Sequence, residues 1–127
     1  MSEQKKILVV DDEPLVCEAV KMLLEFAGHE VIIAGDASEA LELFEQGGFD
    51  LVITDYKMPG MKGDELAQAL KARRPGQPVI MLTAHAEMIK TTAVPLAGVD
   101  QLVSKPFQFT DLQDAIKKAT ARRFSAN

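Results

Sequence analysis

Apolar residues fall into four short unbroken runs, Ile7 to Val10, Val31 to Ala34, Leu51 to Thr54 and Val79 to Leu82, with a weaker fifth at Leu102-Val103. None alternates with polar residues, so each predicts a strand covered on both faces, the habit of parallel sheets. Between the runs the apolar period changes. Val16, Val20, Leu23 and Ala27 are spaced four, three and four; Ala37, Leu41 and Phe44 repeat the idea, as do Leu66 with Leu70 and Leu112 with Ala115, Ile116 and Ala119. That spacing lays one apolar stripe along a helix. The fourth helical pattern, Met88 to Val94, is the weakest: it carries Thr91 and Thr92, and Pro95 ends or kinks it.

The punctuation fits these elements. Pro14 suits the first turn of a helix, Asp36 with Glu39 and Thr110 with Gln113 resemble capping boxes, and Gly28 and Pro75-Gly76 stop their helices. Strand and helix therefore alternate five times. The fold class this predicts is α/β: a doubly wound, five-stranded parallel sheet with five helices on its two faces, joined by right-handed crossovers. With strands 1 and 3 as neighbours the order is the flavodoxin-like 2-1-3-4-5.

A length of 127 residues fits one domain spanning 1–127, with a core from about Lys6 to Ala121. The net charge of −5 argues against a nucleic-acid surface, which needs clustered basic residues. The basic runs, Arg73-Arg74 and Lys117-Lys118 with Arg122-Arg123, sit at helix ends and read as solvated caps. Cys17 is alone, so it forms no internal disulfide, and its place in a helical stripe gives it a packing or surface role. His29 comes after Gly28 in a turn and reads as surface. The four-residue apolar run near the N-terminus is too short for a signal-peptide core, and no segment approaches the roughly 20 apolar residues of a membrane span. The expected location is the cytoplasm.

Candidate chemistry sits immediately after the apolar runs. Asp11-Asp12-Glu13 come after the first, Asp55 after the third, Thr83 after the fourth and Lys105-Pro106 after the fifth. In a parallel sheet the carboxyl ends of all strands share one edge, so these residues converge there. Alone, each has an ordinary role: an acid caps a helix or starts a turn, a threonine ends a strand, a lysine is solvated. Together they are chemistry. Clustered carboxylates repel unless a cation sits among them, and an all-oxygen set without histidine or cysteine favours Mg²⁺. Thr83 then offers a hydroxyl and Lys105 an ammonium to a phosphoryl group, with Asp55 as the nucleophile that receives it.

The stretches "ILVVDDEP", "DLVITDYKMPGMKGDEL", "PVIMLTA" and "KPF" resemble the receiver domain of bacterial two-component response regulators, of the chemotaxis-regulator kind, over nearly the whole chain. The resemblance implies that Asp55 is the phosphoacceptor, that Asp12, Asp55 and the backbone carbonyl of Lys57 hold Mg²⁺ directly, and that Asp11 holds it through water. It implies that Lys105 and Thr83 contact the phosphoryl oxygens and that the peptide before Pro106 is cis. It also implies a sensor histidine kinase or phosphotransfer protein as phosphodonor, an output by conformational switching to a downstream target, and a possible homodimer. Such a domain catalyses its own phosphorylation and dephosphorylation and is not a turnover enzyme.

Two residues depart from the family pattern. Leu102 stands at the switch position, three residues before the lysine, where the family usually has Tyr or Phe, and Pro95 interrupts the fourth helix. Lys57 and His85, each two residues beyond a site residue, are either candidate modulators that obstruct the hydrolytic water at the pocket mouth or plain surface residues. A haloacid-dehalogenase-type phosphatase would need D-x-D after the first strand and a substrate cap, and a flavin carrier would need Gly, Ser or Thr where this chain has "DDEP". No output segment comes after the last helical pattern before "RRFSAN", which fits a stand-alone regulator, a phosphorelay shuttle or a piece of a longer protein.

Overall fold

The computed structural model describes residues 4–84 and 98–125, with side chains as far as residue 121. The strands are β1 Lys6–Val10, β2 Glu30–Ala34, β3 Leu51–Thr54, β4 Val79–Thr83 and β5 Gln101–Ser104. The helices among the described residues are α1 Pro14–Phe26, α2 Ala37–Gln46, α3 Gly63–Arg73 and α4 Phe109–Ser125. All strands pair in parallel in the order β2-β1-β3-β4-β5, as the alternation predicts. The fourth helical pattern, Met88 to Val94, and Pro95 lie outside the described residues, so the described helices number four where the sequence predicts five.

The unbroken apolar runs result from two covered faces. Along β1, Ile7 and Val9 pack with α1 and α4 residues such as Val20, Leu24, Leu112 and Ile116, while Leu8 and Val10 pack with α2 and α3 residues such as Ala40, Phe44, Leu66 and Leu70. Successive strand side chains point to opposite faces, so with both faces buried no position is left for a polar residue. Cys17 belongs to the α1 side of this core, 2% exposed.

The helix ends bear out some local signals and correct others. Pro14 opens α1, and α1 closes on Gly28 at φ +100°, with His29 N–H donating to the Leu24 carbonyl (3.0 Å) and Gly28 N–H to that of Glu25 (2.9 Å). These paired bonds satisfy the last carbonyls through a residue in the left-handed region, where glycine carries no Cβ penalty. Asp36 accepts from Glu39 N–H at 2.8 Å, but Glu39 accepts from Gly35 N–H instead of closing the box on Asp36. The Thr110–Gln113 box does not form: α4 starts at Phe109, two residues before the first helical position that box needs, and Asp111 instead accepts from Gln108 N–H at 3.2 Å. Nor is Arg74 a solvated cap, for its Nη1 donates to the Phe49 carbonyl at 3.0 Å and ties the end of α3 to the turn before β3.

His29, read as surface, is half-buried, and its Nδ1 accepts from Lys5 N–H at 3.1 Å. Burial, and then the positive charge of Lys5, hold the imidazole below its ordinary value of 6.5. Protonation would also remove the acceptor. The unfolded chain therefore takes up the proton first as pH falls, so the stabilising contribution is complete above about pH 6.5 and is lost progressively below it. Urea unfolding at pH 7.5 and 5.5 is expected to show a stability loss in the wild type that His29→Gln reduces; equal losses in the two proteins would contradict this.

Candidate functional site

The carboxyl edge of the sheet carries the chemistry because three strands end there on acidic or cationic residues. Asp11 succeeds β1, its N–H bound to the Ala34 carbonyl of β2; Asp55 succeeds β3, its N–H bound to the Val10 carbonyl of β1; Lys105 succeeds β5, its N–H bound to the Thr83 carbonyl of β4. Ladder bonds thus fix where each side chain starts. Carboxylate oxygens of Asp11, Asp12 and Asp55 all lie within 4.8 Å of one another. Lys105 Nζ reaches Asp11 Oδ2 at 2.9 Å, Asp55 Oδ2 at 3.3 Å and Glu13 Oε1 at 3.9 Å. The second oxygens are held by backbone, Asp11 Oδ1 by Glu13 N–H (3.0 Å) and Asp55 Oδ1 by Tyr56 N–H (2.7 Å).

Asp11 and Asp55 are 4% and 7% exposed, so their charges are poorly solvated. Burial holds the Asp11 carboxyl above its usual range although hydrogen bonds from Lys105 and Glu13 N–H pull the other way, and the Asp55 charge adds to the rise. Burial likewise opposes the charge on Lys105, but hydrogen bonding and attraction from Asp11, then Asp55, outweigh it and hold the ammonium above the usual lysine range. A pair governed by mutual attraction alone would lower the acid. Asp11 sits high chiefly because it is buried, and Lys105 because its two acidic partners outweigh its burial.

Three carboxylates and one ammonium sum formally to −2, which a divalent cation brings to zero. The donors around it are oxygen. Cys17 is adjacent, but its Sγ donates to the Asp11 carbonyl at 3.3 Å and is not among the clustered ligand atoms, which are those of Asp11, Asp12 and Asp55. This donor set fits a hard ion such as Mg²⁺ and does not suit Zn²⁺.

A cleft of ≈ 530 Å³ opens on the cluster, lined among others by Asp12, Asp55, Lys57, Met58, Ala84 and Lys105. Lys57 is exposed at its edge. Thr83 ends β4 fully buried, one residue before Ala84. His85, the other candidate modulator, lies outside the described residues. Leu102 is half-buried on β5, opposite Met81 of β4, and lines a separate surface cleft against α4. The Lys105–Pro106 peptide is cis, as the resemblance implies.

One supporting residue escapes the sequence reading, and a second, Gly63, which reads only as a glycine easing the turn after β3, has a more specific role. Thr54, buried at the end of β3, donates from Oγ1 to the Asp55 carbonyl at 2.9 Å. Gly63 N–H donates to the Tyr56 carbonyl at 2.8 Å, and a Cβ at Gly63 would fall on the Asp55 carbonyl oxygen. The first turn of α3 thus lies against the peptide that carries Asp55, which only glycine permits. Gly63→Ala is expected to lose about 2–3 kcal/mol in urea unfolding, a typical overpacking penalty, and to weaken Mg²⁺ binding by displacing Asp55. Wild-type stability and metal affinity in this variant would contradict the close approach.

A family model described as Response regulator receiver domain matches residues 7–117. The chain is similar to chemotaxis protein CheY of Pseudomonas aeruginosa, 38% identical over 120 aligned positions, with 92% of this chain and 97% of that one covered. It is also similar to the probable transcriptional regulatory protein TcrX of Mycobacterium tuberculosis, 37% identical over 84% of this chain but 45% of that protein. The chain spans about half the length of TcrX and of comparable curated relatives. Among solved structures, a response regulator receiver domain protein from Clostridium thermocellum superposes with a TM-score of 0.87 at 34% identity, covering 97% of this chain and 99% of that one. Response regulator protein TrrA from Thermotoga maritima, in complex with Mg(2+)-BeF, superposes at 0.83 and 37% identity, covering 91% and 99%.

Proposed function

The chain belongs to the response regulator receiver domain family, and on that premise we propose that it is a single receiver domain of a two-component system in which Asp55 accepts a phosphoryl group from a sensor histidine kinase or a phosphotransfer protein. The observation that carries this reading is the meeting of Asp11, Asp12 and Asp55 with Lys105 at one edge of the sheet. The similarity to a protein whose structure holds Mg(2+)-BeF supports it further.

Asp55 Oδ forms the new P–O bond as the P–N bond of the donor's phosphohistidine breaks, and the bonding pair leaves with the imidazole. Asp12, Asp55 and the Lys57 carbonyl would hold Mg²⁺, with Asp11 acting through water, and the ion would supply charge neutralisation for the transferring group. Lys105, held among Asp11, Asp55 and Glu13, turns to the incoming oxygens, and Thr83 donates its hydroxyl to them once Asp55 is modified. The domain thereby catalyses its own phosphorylation and dephosphorylation without acting as a turnover enzyme. Its output is a population shift between two conformations. With Leu102 in place of a ring on β5, Thr83 is the residue that senses the phosphoryl group, and no aromatic rotation accompanies it.

Leu15 and Met22, 84% and 69% exposed, lie seven residues apart on one face of α1, starting beside the acid pair, and suit a docking donor. The cytoplasm is the compartment of this reading, and no helix of the described residues is long and apolar enough to cross a membrane.

Incubation with acetyl phosphate and Mg²⁺, then borohydride trapping and mass spectrometry, is expected to locate an acyl phosphate on Asp55; modification elsewhere, or none, would overturn the assignment. Lys57 at the cleft edge screens the acyl phosphate from water. Lys57→Ala is expected to shorten the lifetime of the phosphorylated form severalfold, with His85→Ala adding to the effect, and unchanged decay rates would remove both residues from this role.

A further inference from the structure

On the helical face of the sheet that carries α1 and α4, a groove of ≈ 320 Å³ runs between the two helices. Its apolar lining includes Leu24, Phe26, Phe109 and Ile116, with Lys5 and Lys117 at its polar positions. Lys5 precedes β1 and His29 precedes β2, so this end of the groove lies at the amino edge of the sheet, opposite the acid cluster.

Three features distinguish this groove from ordinary surface. Phe26 exposes 87% of its surface, the largest exposure among the big apolar side chains described, so its ring lacks a partner in the free protein. Neither the Lys5 nor the Lys117 ammonium has an acidic partner among the described residues, although the chain carries a net charge of −5 and acids are plentiful. His29 adds a donor, because its Nδ1 accepts from Lys5 N–H, which leaves the hydrogen on Nε2, and Gln113 adds an amide that can donate or accept. A mostly apolar cleft of about 300 Å³ with a few convergent donors is the usual composition of a small-ligand site.

We propose that this α1–α4 groove binds a small amphipathic carboxylate, its headgroup held by Lys5 and Lys117 and its apolar body packed on Leu24, Phe109 and Ile116 beneath the Phe26 ring. Charge complementarity selects the class. An apolar ligand without charge would leave the ammoniums unused, and a cationic one would be repelled. The site is separate from the phosphorylation cleft, and the proposal stands whether or not Asp55 is the phosphoacceptor.

Octanoate is the probe, monitored by backbone amide NMR on the full chain, with 1-octanol and octylamine as charge controls. Saturable shifts are expected at Ala27, Gly28, His29 and Gln113 with octanoate, at least tenfold weaker binding of 1-octanol, and none of octylamine. Lys5→Gln with Lys117→Gln should weaken octanoate by about tenfold, as loss of rim charge-assisted hydrogen bonds does. Phe26→Ser, at an exposed position that the fold does not need, should weaken it without changing unfolding. Equal binding of octanol, an unchanged titration in the lysine variant, or no saturable shift would overturn the proposal. A Phe26-dependent dimer that excludes octanoate would assign the face to a second copy and overturn it as well.

Discussion

Asp55→Asn is expected to take up no phosphoryl group from acetyl phosphate or from any kinase, while melting at a higher temperature than the wild type in metal-free buffer. The first half is chemistry: a carboxamide oxygen is too weak a nucleophile to replace the carboxylate. The second half rests on magnitudes. At the effective dielectric near a protein surface, the 3.3 Å contact with Lys105 is worth about 5 kcal/mol, and repulsion from each acid within 4.8 Å about 3 kcal/mol or more. Asp12 is exposed and its share is screened, so attraction and repulsion nearly cancel. The cost of burying the carboxylate then decides the sign. Asparagine keeps an oxygen for Tyr56 N–H, so the net gain is about 1 kcal/mol, or about 4 °C in Tm. Added Mg²⁺ should raise the wild-type Tm and leave that of the variant nearly unmoved. Phosphoryl uptake by the variant, or a fall in its metal-free Tm, would contradict the account.

Lys105→Met should be the more damaging change to the fold. It leaves Asp11 and Asp55 buried beside one another with no cation, and breaking a buried pair costs about 3 kcal/mol at the lower end, the end appropriate here because the lysine side chain keeps 14% of its surface. Calorimetry without metal should show a Tm lower by about 10 °C. Mg²⁺ at about 100 times its Kd returns about 2.7 kcal/mol, so it should nearly restore the variant and raise its Tm by more than the wild type's. Phosphoryl transfer, however, should stay about 10²–10³-fold slower even with saturating Mg²⁺, the usual loss for one preorganised donor at developing charge. If Mg²⁺ stabilised the two proteins equally, Lys105 and the metal would not be competing for the same acids.

The sheet was legible in the sequence because burial on both faces leaves an unmistakable trace, apolar runs without alternation, and each strand was placed to within a residue or so. The site was legible because its acids and its lysine stand immediately after strands. Asp50 and Asp100 show how far position matters. They precede β3 and β5, at the amino edge, and there they accept from Lys6 N–H and Val79 N–H at 2.8 Å, with Lys71 also on Asp100. The same side chain is a structural cap at one edge and part of the acid cluster at the other, and its order relative to the strand tells which. What escaped were contacts between residues whose need for each other is three-dimensional. Nothing in "MPGMKGDEL" says that the Gly63 position abuts the Asp55 carbonyl, and Arg74, written like a surface cap, binds the Phe49 carbonyl across a turn. Local capping signals also misled at Thr110, because packing of Phe107 on the core and the Gln108–Asp111 bond set where α4 begins.

The proposed role of the Asp55 carboxylate is to carry a phosphoryl group beside a metal-binding acid pair. Titration with beryllofluoride, which mimics an acyl phosphate on a carboxylate, tests this without a kinase. With Mg²⁺ present, amide NMR should show saturable, one-to-one changes at Tyr56, Ala84 and Lys105, absent without Mg²⁺ and absent in Asp55→Asn. Changes that persist in Asp55→Asn, or a wild-type spectrum that Mg²⁺ and beryllofluoride together leave untouched, would contradict it.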